Sequence, residues 1–213
     1  ADVGLRVDHV FGETDVAVMH GYPMYSSWSA GPLDPWFVPF TCALTTALCG
    51  LPTLAEEFGG CTAPAGERSQ VWRWTAYGKQ REQFMASEED FAAYLEQVLV
   101  NLAHSGSTGA MLWCWSDYVQ ELWDRPPCDE SRHERHFGLV RADGSEKPHV
   151  DVVRRFAATA PTVADTAVPV QLDLATDEYH ADPQHHAARL YRRWREQVSG
   201  ETWPGETTVR GPS

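Results

Sequence analysis

The chain has 213 residues, 43% of them hydrophobic and 11% aromatic, which is enough to build a sizeable buried core. A formal net charge of -13 excludes a general nucleic-acid binder, because such a protein needs a basic face to displace counterions from phosphates. No stretch approaches the roughly 20 consecutive apolar residues of a membrane helix, so no membrane partner is expected.

In chain order, Asp15 to His20 ("DVAVMH") is short, Val-rich and followed by Gly-Tyr-Pro, the pattern of a buried strand ending in a turn. A helix is predicted from about Pro39, closed by Gly50 as its C-terminal cap. "LPTLAEEF" from Leu51 is the second strand, and a long polar and aromatic loop with Trp72, Trp74 and Tyr77 is expected from Gly59 to about Ala86. Ser87 followed by Glu88, Glu89 and Asp90 starts a helix, with a capping hydroxyl and acidic residues at its positive end. Phe91, Tyr94, Leu95, Val98, Leu99 and Leu102 continue it at helical spacing.

Thr108 to Trp115 ("TGAMLWCW") is the third strand, followed by a charged, Pro-containing loop to about Arg135. An Asp-Gly turn then leads to Pro148, which opens a helix to about Ala157. Beyond Pro161 an extended stretch, one amphipathic helix and a fraying last dozen residues are expected. The domain reading is therefore 1–160 for the strand-and-helix body and 161–213 for a C-terminal extension.

Strands alternating with helices imply an α/β protein with a parallel sheet. Three such units leave bare sheet edges, whereas a closed (β/α)8 barrel needs eight, and Ala1 begins in mid-pattern. The expectation is the C-terminal part of a TIM barrel, whose N-terminal half is missing from this sequence. In such barrels chemistry sits where strands end and loops begin. Glu56 and Glu57 emerge at such an end, and strict alternation along a strand would turn only one of them inward.

The series "HGYPMY", "PTLAEEFGG", "GAMLWCWSDY" and "FGLVRADGSEKP" resembles strands six to eight of a retaining glycoside hydrolase of clan A, most like family 5, the cellulase and mannanase group. The resemblance runs from about Val7 to Ala157. It implies a β-linked glycan of mannan or glucan type as substrate, with Glu57 as nucleophile. His20 and Tyr22 match a His-x-Tyr that lines the site, the Tyr bonding the nucleophile. Trp113, with Trp115 second, matches a Trp that stacks under the sugar. A carboxylate nucleophile has to be ionised and held in place, and aromatic faces suit pyranose rings. On that ground Trp72 and Trp74 would extend the platform.

The same resemblance places the general acid in an Asn-Glu pair at the end of strand four, and the only Asn here, Asn101, precedes Leu102. The acid/base half is absent. Glu56, Asp117 and Glu121 lie nearby, but no spacing recommends any of them as its replacement. Negligible turnover by this chain alone is expected, and the alternative is a non-catalytic carbohydrate-binding or interaction protein.

Cys42, Cys49, Cys61, Cys114 and Cys128 contain no CxxC and make no disulfide framework, which suggests a reducing, cytoplasmic setting. Cys42 and Cys49, seven apart, would share one buried helix face. The sets Cys128, His133, His136 and His180, His185, His186 lack a fourth ligand at a zinc spacing, so no metal or cofactor is expected. Arg189, Arg192, Arg193 and Arg195 read as a solvated helix face.

Overall fold

In a computed structural model, the structure describes residues 5–7, 9–164 and 167–200. The elements are β1 (Ala17–Gly21), α1 (Phe37–Cys49), β2 (Thr53–Gly59), β3 (Gln70–Ala76), β4 (Lys79–Met85), α2 (Glu88–His104), β5 (Gly109–Trp113), α3 (Pro148–Ala158), α4 (Thr176–Ala181) and α5 (Pro183–Ser199). Strands β1, β2 and β5 form a parallel sheet in that order. Each new strand is added on the same side, as in a barrel wall, with no reversal of the kind found in doubly wound sheets.

Local chemistry sets the helix ends. Gly50 adopts a left-handed φ of 74° that a glycine takes without strain, and its N–H bonds back to the Thr46 carbonyl at 2.8 Å. The Ser87 hydroxyl accepts from the Asp90 N–H at 3.0 Å, the predicted cap of α2.

The expected loop from Gly59 to Ala86 is instead largely an antiparallel hairpin, β3 paired with β4. Its two-residue turn is Tyr77 and Gly78, both at positive φ (50° and 69°), the primed geometry that matches strand twist. Tyr-Gly is not the Asn-Gly or Asp-Gly that advertises such a turn, and β4 is mostly charged or amide-bearing, so its strand character was hidden.

One hydrophobic core joins the sheet to its helices. Phe37, Phe40 and Leu44 of α1 meet Ala55 and Phe58 of β2, Leu95 and Val98 of α2, and Leu190, Tyr191 and Trp194 of α5. Each fully buried large side chain contributes roughly 1.5–3 kcal/mol. The buried Asp34 carboxylate is satisfied by the Ala30 N–H at 2.7 Å and the Tyr191 hydroxyl at 2.6 Å, which fixes α5 against the start of α1.

Other expectations need correction. Arg189 and Arg193 do lie at the solvated face of α5, but both also pair with Asp173 at 2.6 and 2.8 Å and tie the preceding extended segment to α5. Helix α4 was not anticipated, Cys42 is buried while Cys49 is only half-buried, and the fraying expected of residues 201–213 falls outside the described residues.

Candidate active site at the end of strand β2

The carboxyl ends of the three parallel strands deliver His20, Glu56, Glu57 and Trp113 to one rim. Pairing of β1 with β2 places Met19 opposite Ala55 and His20 opposite Glu57, so the register shifts at Glu56. Against β5 it shifts between Ala55 and Phe58. Such an extra residue breaks the alternation of side chains. The expectation that only one glutamate turns inward is therefore corrected, because His20 reaches both of them. Its Nε2 lies 3.3 Å from Glu56 Oε2, and its Nδ1 lies 3.6 Å from Glu57 Oε2.

Tyr22 donates its hydroxyl to Glu57 Oε1 at 2.6 Å, a short bond to a charged acceptor. The phenol is only 6% exposed, packed against Tyr25 and edge-on to Phe137. Burial first, then the bond and charge of Glu57, push its proton affinity well above that of an ordinary tyrosine, so it stays a neutral donor. Glu57 itself remains accessible, with 28% of its side chain exposed.

Gly59 and Trp113 close the junction of β2 and β5, and a Cβ on Gly59 would sit 2.2 Å from the Trp113 carbonyl oxygen. Trp113 is 39% exposed and Trp115, on the following loop, 73%. The hairpin tryptophans sit differently. Trp72 lies edge-on to His136, while Trp74 leans against His133 and donates its indole N–H to the Glu130 carbonyl at 2.6 Å. Both brace the 3-10 turn Arg132–His136 against β3.

That turn carries a carboxylate that sequence reasoning missed. Burial and the charge of Glu57 hold Glu134 above the usual carboxylate range. Its Oε1 lies 3.4 Å from His133 Nε2, which also meets the Tyr25 hydroxyl at 3.0 Å. Burial pushes His133 down to about 4, so the ring is neutral near pH 7. No motif marks Glu134; the one available signal is a glutamate inside a His- and Arg-rich turn, "RHERH".

The positional substitutes for the acid fare differently. Glu121 is exposed in the short turn Gln120–Leu122. Asp117 is committed to structure, receiving the Lys147 ammonium and the Gly138 N–H, both at 2.7 Å. Lys147, its side chain 1% exposed, also donates to Thr62 at 3.0 Å. Burial opposes ionisation of Asp117, but His136, Lys147 and Gly138 outweigh it and hold the carboxyl below its ordinary range. Among the described residues no group of three or more His, Cys, Asp or Glu is placed to hold a metal ion, and no helix is long and apolar enough to cross a membrane.

No family model matches the chain, and no curated protein matches it. Among solved structures it is similar to an exo-β-1,4-mannosidase from Opitutaceae bacterium strain TAV5, at 21% identity and a TM-score of 0.58 over 88% of this chain and 31% of that one. A GH5_18 enzyme from Streptomyces cattleya, solved with Manβ1-4GlcNAc, gives 17% and 0.55 over 87% and 42%. Another GH5_18 protein, from Bifidobacterium longum subsp. longum, gives 14% and 0.54 over 87% and 42%. The likeness is one of fold, an α/β parallel-sheet architecture consistent with part of a TIM-barrel-like fold. The chain spans between 31% and 42% of the length of these three proteins.

Proposed function

We propose that this chain is the C-terminal part of a retaining β-glycosidase barrel, strands six to eight, and carries the nucleophile half of its active site. The observation that supports this most is the short bond from a buried, neutral Tyr22 to Glu57 at a strand end. One oxygen of Glu57 is thereby pinned while the other stays free. In the reaction, a Glu57 oxygen forms a bond to the anomeric carbon as the bond to the leaving oxygen breaks, giving a glycosyl ester that water then hydrolyses. The leaving oxygen takes a proton from a second carboxylic acid, which in this reading the remaining barrel strands provide.

A β-mannoside is the favoured substrate class, because the similar structures include a mannosidase and an enzyme holding Manβ1-4GlcNAc. A β-glucoside is the second choice. Trp113 is the residue we assign to stacking on the sugar, with Trp115 farther out. Trp72 and Trp74 act through the turn they brace. The division is 1–160 for the barrel portion and 161–213 for a C-terminal extension, whose helix α5 packs against α1. Five free thiols suit a reducing, cytoplasmic setting.

The test is a 2-deoxy-2-fluoro-mannosyl inactivator applied to the chain joined with the remaining strands of a mannosidase barrel. A covalent label on Glu57 is expected, and a label on Glu56 overturns the assignment. Specific glycan binding without any label would instead support a non-catalytic carbohydrate-binding protein, a reading favoured by the exposed Trp113 and Trp115 and the missing Asn-Glu pair.

A further inference from the structure

The register shift in β2 does more than expose a second acid. Without it Glu56 would point away from Glu57, toward the opposite sheet face. With it, one imidazole stands between two carboxylates, Nε2 toward Glu56 at 3.3 Å and Nδ1 toward Glu57 at 3.6 Å. The first is a hydrogen bond, and the second lies beyond hydrogen-bond range. Glu57 therefore keeps Oε2 uncommitted while Oε1 is held by Tyr22.

The geometry assigns Glu56 a positioning role: it grips the His20 ring through Nε2 and so sets the Nδ1 edge beside the free oxygen of Glu57. A carboxylate oxygen only accepts, so the Nε2 that bonds Glu56 is the ring's N–H in that contact. The Nδ1 edge then stands beside Oε2 without occupying the atom that must attack. Glu56 acts through His20 and touches no reacting atom. The functional consequence rests on the nucleophile reading of Glu57, but the ring geometry does not.

The experiment is long-range 1H–15N correlation NMR at pH 7 on the intact chain, labelled at histidine, with His20 assigned through His20→Gln. In the unaltered chain Nε2 should carry a proton. Glu56→Gln keeps an acceptor for Nε2–H, so that proton should stay on Nε2. Glu56→Ala should give mixed tautomers. An identical His20 signature in the unaltered and Glu56→Ala chains would overturn the assignment, as would a tautomer mixture in the unaltered chain. Backbone amide spectra of β1 and β5 report whether each variant folds; if Glu56→Ala does not, Glu56→Leu, which fills the space without an acceptor, takes its place. A correct ring signature alongside absent or misplaced labelling of Glu57 would refute the nucleophile reading and leave the positioning geometry standing.

Discussion

Two acidic groups at neighbouring strand ends have opposite fates. At the end of β2, Glu57 is partly open and its partners leave one oxygen free. Just past β5, Asp117 is enclosed and its Oδ1 is saturated by Lys147 and the Gly138 N–H, with the His136 ring 3.9 Å from Oδ2. Saturation suits an anchor, since an oxygen with all its lone pairs engaged has nothing left for a substrate. Partial satisfaction suits a nucleophile. Asp117 and Lys147 fasten the loop after β5 to Thr62, and that loop in turn carries Glu134 toward Glu57, so one carboxylate serves as scaffold for the surroundings of the other.

The largest effect should come from breaking the anchor. Lys147→Met leaves Asp117 enclosed without its cation and should cost about 3–5 kcal/mol in urea unfolding. Adding Asp117→Asn should recover part of that loss, because no charge then remains buried. A loss in the single variant no larger than in the double would show that the pair is solvated and that the contrast with Glu57 is false. Next comes Gly59→Ala, which drives a methyl into the Trp113 carbonyl and should cost about 1–3 kcal/mol, with hydrogen exchange rising at β5 amides. Unchanged exchange there would argue against close contact of the two strand ends.

These contrasts were only partly legible in the sequence. Strands β1, β2 and β5 and helices α1, α2 and α3 were readable because local rules govern them: apolar runs, a Ser cap, a terminal Gly, a Pro at a helix start. Glu57, His20 and Tyr22 were readable as a set through the motif resemblance at the strand ends, and the structure brings all three together. The inward turn of Glu56 was not, since the alternation argument assumes an unbroken ladder and an extra residue leaves no compositional mark. The hairpin was masked by its unusual Tyr-Gly turn. Glu134 was hidden for another reason: tertiary folding of a long loop, not spacing, brings it under the influence of Glu57.

A smaller effect separates the two carboxylates by function. Tyr22→Phe removes one hydrogen bond to a partly exposed group, so unfolding should change by no more than about 1 kcal/mol. In the joined barrel the same change should slow formation of the Glu57 adduct on the order of tenfold, by releasing the oxygen that Tyr22 pins. If stability fell strongly and labelling did not, Glu57 would be an anchor like Asp117.

The smallest expected effect is a titration, and here the two regions should differ in sign. Asp117 is held below its ordinary range, so its stabilising contribution is present above the unfolded carboxylate value and is lost as pH falls through the lower folded value. Glu134 is held above its range by burial and by Glu57, so its contribution is present below the unfolded value, about 4.3, and is lost as pH rises through the higher folded value. Carboxyl 13C NMR on the intact chain should show Glu134 titrating late. In Glu57→Gln its midpoint should fall, yet stay above the ordinary value, because burial, the larger cause, remains. A midpoint indifferent to Glu57→Gln would mean that Glu134 does not sense Glu57, and the loop after β5 would then belong wholly to the scaffold.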